Sequence, residues 1–345
     1  MFIRIFFLLQ ILISLLPASS MAYSLHSVFK HVNPTVVVIH TKNKGPGRQN
    51  INNNTNKKDV GSGVVISKDG KIMTASHLVH SADSIHVEFL NGKIIAARVL
   101  SSVSHADVAL IQLEHVPEDL QVAPLGNSDH ALVGDDIFVI GAPYGYSHTV
   151  SKGIISARYK PGELDSELTK TELLQTDAAI NQGNSGGPMF NEKGEVIAIV
   201  SHIISHSGGN EGLGFAVTSN MSKKLLLEEK PVWSGLDGII ISKLANVLNV
   251  PQPAAYLVQH VAQNSIAARM GIHGGSIPTK IYNTQFLLGG DIIMAVLDIE
   301  ITNSTEVFKT IRKKLSELKV GDKVTAKILR AGKIIHLSTE IVERY

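Results

Sequence analysis

Apolar residues along this chain come in short, β-branched runs separated by turn chemistry. Over the first two thirds they read "NPTVVVIHT", "GSGVVIS", "GKIMTAS", "SIHVEFL", "KIIAARVLS", "ADVALIQLE", "DDIFVIGAP" and "TVSKGIISARY". Lys68-Asp69-Gly70 separates the second run from the third, and Asn91-Gly92 the fourth from the fifth. Both are hairpin signals, because glycine accepts positive φ without steric cost. Few stretches before residue 220 show helical spacing. Short, evenly spaced strands of this kind predict an all-β barrel or sandwich. Residues 43–59, "NKGPGRQNINNNTNKKD", are polar without periodicity and are expected to form an exposed loop.

The pattern changes at "TSNMSKKLLLEEKPVW". A short helix is expected there, capped by Ser219 or Asn220 and ended before Pro231. The remainder mixes short strands ("GIIIS", "AYLVQHV", "DIIMAVL", "KVTAKILR", "KIIHLSTEIV") with two helix candidates. One is "NSIAARMG", capped by Asn264 or Ser265 and stopped by Gly271; the other is "NSTEVFKTIRKKLSEL". The expected division is residues 1–22 as a leader, 23–228 as a β domain and 229–345 as a small α+β domain.

Composition narrows the chemistry. The 345 residues carry a formal net charge of +2, which does not point to nucleic acid. There is no cysteine, which excludes disulfides, thiol nucleophiles and thiolate-bound metals. The opening "MFIRIFFLLQILISLLPASSMAYS" places Arg4 before an apolar run from Ile5 to Leu16, then Pro17 and the small-residue segment Ser20-Met21-Ala22. This is a secretory signal pattern, and its apolar run is shorter than the ~20 residues of a membrane span. The expectation is an exported protein, periplasmic or secreted, with a membrane anchor as the alternative if the leader is retained.

"NQGNSGGPMF" sets Ser185 in a glycine turn. Serine acyl transfer needs a base, a carboxylate that orients the base, and backbone donors for the oxyanion. His77 in "KIMTASHLV" ends a strand, and Asp107 in "SHADVALIQL" heads one. The chain order His77, Asp107, Ser185 is one of those found for such triads. A tight turn would aim the N–H groups of Gly183 and Ser185 at one point as an oxyanion hole. Among the fifteen histidines, His77 with His80 and His202 with His206 have metal-like spacing but lack a third ligand, so no metal site is expected.

The chain resembles the HtrA (Deg) family of exported trypsin-fold serine proteases. The matching stretches are "GSGVVIS", "TASHLV", "ADVALIQL", "VGDDIFVIGAPYG", "TVSKGIISA", "LLQTDAAINQGNSGGPMFNEKGEVIAIVS" and "GLGFAV". The resemblance implies a mainly β fold, a chymotrypsin/trypsin-like double six-stranded β-barrel followed by a small α+β PDZ-like domain. It implies His77 as base, Asp107 as its carboxylate, Ser185 as nucleophile and no cofactor. It places Ala179 at the floor of the pocket for the residue before the cut, beside Ile180, with Ser201, Gly214, Phe215 and Ala216 as walls. With no acidic floor residue, small or medium apolar side chains are expected there. "AYLVQHVAQNSIAARMGI" and "LLGGDIIMAVLDIEITNSTEVFKTI" resemble the PDZ module of this family, with Leu236, Asp237 and Gly238 in its peptide-binding loop. "HGGSIPTKIYNTQF" is an insertion relative to that pattern and would alter or cover the groove. The family also implies a homotrimer formed through aromatics near the mature N-terminus, here Phe29. The expected partners are unfolded or misfolded polypeptides and a C-terminal peptide on the PDZ domain. Two rival readings remain at this point: a site-specific regulatory protease gated by that peptide, and a chaperone-like binder without proteolysis.

Overall fold

The computed structural model describes residues 24–42, 59–163, 171–205, 209–281 and 284–342. The leader and most of the asparagine-rich loop lie outside the described residues. Asp59, expected at the end of that loop, instead opens a strand.

The first barrel is built from β1 (Val36–Lys42), β2 (Asp59–Val65), β3 (Lys71–Thr74), β4 (Ser84–Glu88), β5 (Ile94–Val103) and β6 (Val108–Leu113). It closes in the order β1-β2-β3-β6-β5-β4. The second uses β7 (Asp136–Gly141), β8 (Thr149–Tyr159), β9 (Leu173–Thr176), β10 (Pro188–Asn191), β11 (Val196–Ile203) and β12 (Gly214–Thr218). It closes as β10-β11-β12-β9-β8-β7. This is the double six-stranded barrel that the resemblance implies.

Strand alternation explains how the two barrels join. Successive side chains face opposite sides of a strand. Val65 and Ile72 fill the first barrel, while their neighbours Val64 and Met73 point outward into a shared seam. The second barrel answers with Phe138, Phe190 and Phe215 in the same seam. Phe138 and Phe190 stack with centroids 5.2 Å apart. The candidate catalytic residues sit at the edge of this seam. An N-terminal helix, α1 (Leu25–Val32), also packs there through Val28 and Val32, one helical turn apart. The sequence reading did not foresee it. Phe29, half-buried, packs against the seam of its own chain.

A single helical turn, α2 (Ser76–Val79), follows β3. After β12 comes α3 (Ser219–Lys223), which widens into a π-helical turn over Lys224–Glu228. Its N-cap is Thr218, not Ser219 or Asn220, and no side chain caps it. Ser219 is instead buried, donating from Oγ to the carbonyl of Gly126.

The C-terminal sheet comprises β13 (Leu236–Ile241), β14 (Ala255–Val261), β17 (Ile292–Val296), β19 (Lys323–Arg330) and β20 (Lys333–Glu340), in that order, with β18 (Ile299–Glu300) beside β17. α4 (Ile266–Met270) is capped by Ser265, whose hydroxyl accepts from the N–H of Ala268, and ends at Gly271 in the left-handed region. α5 (Thr305–Glu317) is capped by Ser304. The inserted segment forms a hairpin, β15 (Ile277–Ile281) and β16 (Thr284–Leu288). Phe286 and Leu288 seat it on the sheet face of Ile241, Leu257 and Met294. α5 packs through Ile311 on the opposite face, with Val258, Ile293 and Ile328. The hairpin and α5 therefore lie on opposite faces of the sheet.

Candidate active site

His77 lies on α2, immediately after β3 ends. Asp107 follows a 3-10 turn over Ser104–Ala106 and adopts φ 52°, a left-handed conformation that Asp tolerates better than most residues. That kink turns its carboxylate toward α2. His77 Nδ1 lies 2.9 Å from both carboxylate oxygens, and the His77 backbone N–H donates to Oδ1 at 3.0 Å. A third donor, the Ser201 hydroxyl, meets Oδ2. Burial pushes the Asp107 pKa up, but the bonds from His77 and Ser201 outweigh it and hold the carboxyl below its ordinary value. The His77 side chain is 48% exposed and that of Asp107 only 9%, so the imidazole presents an open edge over a buried anion.

Ser185 lies across the seam. Its hydroxyl donates to the Ser201 carbonyl at 3.1 Å, and among the described residues no hydrogen bond joins it to His77. The turn around it is held by backbone bonds. The Gln182 carbonyl accepts from the N–H of Tyr144 at 2.8 Å. In a planar trans peptide the N–H points opposite to the C=O, so the Gly183 N–H is turned away from Tyr144. Neither this N–H nor that of Ser185 donates to an acceptor among the described residues. Gly183 has φ 106°, and a Cβ there would sit 2.1 Å from the Ala142 carbonyl oxygen; no other residue fits.

Ser62 on β2 fastens this turn from the other barrel, a role absent from the sequence reading. Its hydroxyl donates to the Gly183 carbonyl at 2.7 Å and accepts from the Ala142 N–H at 2.9 Å. Its N–H donates to the Ser185 carbonyl at 2.8 Å. Ser62→Ala would leave a buried carbonyl and a buried N–H without partners and loosen the turn. A kcat loss of about tenfold or more is expected, with KM little changed. Steady-state kinetics on a chromogenic peptide would read it, and an unchanged kcat would refute the brace.

The expected pocket residues divide. Ala179 is exposed, which does not make it a buried floor. Ile180 is buried against Gly214, where an added Cβ would lie 2.7 Å from Ile180 Cδ1. Gly214 and Ala216 share one side of β12, but Phe215 faces the other, into the seam. Period-two alternation forbids all three from forming one wall. Ser201 points its hydroxyl at Asp107 and is not a wall.

Leu236, Asp237 and Gly238 lie at the start of β13, paired with Val261, His260 and Val258 across a bulge. The first barrel touches them directly. His80, one residue past α2, donates from Nε2 to the Leu236 carbonyl at 2.7 Å, and its Nδ1 lies 2.9 Å from the Ser102 hydroxyl. Burial lowers its pKa below the ordinary imidazole value, against the bond to Leu236 and the charge of Asp237, which both raise it. Trp233 donates from Nε1 to the His80 carbonyl at 2.9 Å. A cavity of about 720 Å³ opens between Leu236 on β13, Phe308 and Arg312 on α5, and His80 and His105 of the first barrel. Among the described residues no metal-holding group of three acidic or histidine side chains occurs, and no helix is long and apolar enough to cross a membrane.

Comparison with known proteins agrees with the double-barrel fold. The trypsin-like peptidase domain family matches residues 61–199, a span that includes Ser62, His77, Asp107 and Ser185. The periplasmic serine endoprotease DegP of Escherichia coli (strain K12) is 36% identical over 290 residues, covering 82% of this chain and 56% of that protein. A probable DegP-like periplasmic serine endoprotease of Pseudomonas putida (strain GB-1) is 33% identical over 291 residues, with the same coverage. The chain carries a trypsin-like peptidase domain and is homologous over most of its length to DegP-type HtrA proteases. Among solved structures of HtrA-type proteases, AlgW with a decapeptide is similar at a TM-score of 0.52 and 26% identity, covering 93% of this chain and 99% of that one. AlgW with a tripeptide gives 0.53 and 27%, covering 93% and 98%. The chain spans little more than half the length of the DegP relatives it matches, 56% in both cases.

Proposed function

We propose that this chain is a serine endopeptidase acting on unfolded or damaged polypeptides in the periplasm. The carrying observation is the Asp107–His77 pair set across the seam from Ser185, whose turn leaves the N–H groups of Gly183 and Ser185 free. In the reaction the Ser185 hydroxyl turns from the Ser201 carbonyl toward His77 Nε2. His77 takes its proton as Oγ bonds to the substrate carbonyl carbon. The oxyanion is held by the two N–H groups, and Asp107 stabilises the imidazolium. His77 returns the proton to the leaving amine, giving an acyl-enzyme that water hydrolyses by the same route. Ala179, Ile180, Gly214 and Ala216 form a small apolar site for the residue before the cut.

The C-terminal sheet is read as a PDZ-type module with Leu236, Asp237 and Gly238 at its peptide loop. One contact favours a gated version of the same protease: His80 joins this loop to the turn that follows His77. The leader is read as a signal peptide, and the assembly as a homotrimer. The test is digestion of unfolded casein by the wild-type chain beside Ser185→Ala, with cut sites sequenced and Ser185 labelled by a fluorophosphonate. Cleavage after small or medium apolar residues, absent in Ser185→Ala, is expected. Equal cleavage by both would refute the mechanism, and no labelling of Ser185 would favour the chaperone-like reading.

A further inference from the structure

His202 is a second imidazole wired to the Asp107 carboxylate, and it plays no part in the triad. The wiring follows from a bulge in β11. Val200 pairs with Ala216 on β12, but the next paired residue is His202 with Phe215, so Ser201 is the extra residue. A bulge breaks strict alternation. Consecutive side chains Ser201 and His202 thereby both reach the seam beside Asp107. The Ser201 hydroxyl donates to Asp107 Oδ2 at 2.5 Å, and His202 Nδ1 lies 3.1 Å from the same hydroxyl oxygen.

The proton count assigns the direction of this chain. A hydroxyl has one hydrogen, and Ser201 gives it to Asp107. Its oxygen can then only accept from His202, so His202 Nδ1 must carry a proton. The imidazole is held in place by stacking on Phe215, with centroids 5.1 Å apart and planes within 10°. The titratable groups acting on it are Asp107 and His77, and burial keeps its pKa below the ordinary value. At neutral pH it is therefore an uncharged donor of defined tautomer.

We propose that His202 is a positioning residue for the Ser185 reaction, fixing the Ser201 hydroxyl and through it one oxygen of Asp107. This rests on the protease reading above. Without His202 the Ser201 hydroxyl is free to rotate, and Asp107 loses a constant donor. The carboxylate then orients His77 less sharply. Substrate binding is untouched, so the cost falls on kcat.

The first test needs no activity. In the full chain labelled with ¹⁵N-histidine, the His202 signals are assigned by their loss in His202→Phe. At neutral pH the Nδ1–H tautomer is expected, and the Nε2–H tautomer would overturn the proposal. The second test is kinetic. His202→Phe keeps a ring on Phe215 but removes the donor, and should lower kcat about three- to tenfold with KM unchanged. His202→Asn sets an amide N–H near the Nδ1 position and should recover most of that loss. Wild-type kcat in His202→Phe, or equal impairment of both variants, would refute the role while leaving Ser185 as nucleophile. Wild-type activity in Ser185→Ala would remove both readings together.

Discussion

His77→Ala is expected to lower kcat/KM by about 10⁴- to 10⁶-fold, with substrate affinity nearly unchanged. The Ser185 hydroxyl is a weak nucleophile until a base takes its proton, and the described residues at the seam offer His77 for that task. Asp107→Asn should cost about 10⁴-fold through a different route. The carboxylate accepts from His77 Nδ1 at 2.9 Å and from its backbone N–H at 3.0 Å. An amide in that place can present its N–H₂ to Nδ1 and favour the tautomer with the proton on Nε2. That nitrogen could then no longer receive the serine proton. Rates on a chromogenic peptide, with active sites counted by fluorophosphonate, would measure both. A loss under tenfold in either variant would mean the proton goes elsewhere.

Arg330→Ala should destabilise the C-terminal sheet by about 3–5 kcal/mol. Asp291 is 1% exposed, and Arg330 clamps it with Nε to Oδ1 at 2.6 Å and Nη2 to Oδ2 at 2.7 Å. The His273 N–H donates to the same carboxylate at 2.8 Å, and Arg330 also donates to the Gly271 carbonyl at 2.6 Å. The bonds to Asp291 raise the guanidinium pKa above its ordinary value. Removing the arginine leaves a buried carboxylate with its opposite charge gone. The pair thereby ties β19 to the loops that end α4 and precede β17. Chemical denaturation followed by Trp233 fluorescence and by amide exchange in β17 and β19 would locate the loss. Stability within about 1 kcal/mol of wild type would show that water replaces the guanidinium at no cost.

Reading this chain from its sequence succeeded where chemistry is local. Strand runs, hairpin glycines, the cap at Asn264 or Ser265 and the setting of Ser185 each rest on neighbours in sequence. The misses are long-range. Phe215 was assigned to a pocket wall with Gly214 and Ala216, yet it faces the seam, because which side of β12 is buried depends on the other barrel. The α1 helix is short, and its two buried valines became meaningful only against that seam. Ser62 lay inside a quoted motif, but its three bonds reach across more than a hundred residues or to the far barrel, and no spacing rule carries that information.

The sequence by itself determined the strand periodicity, the glycine turn and the residue types for acyl transfer, because backbone sterics and the functional group a side chain carries belong to a residue and its near neighbours. The tertiary structure alone decided that Ser62 braces the Ser185 turn from the other barrel, and that Ser201 and His202 face Asp107 rather than a pocket. Those relations are set by barrel closure and a bulge in β11, where the packing of two sheets selects one register from many that the local pattern allows.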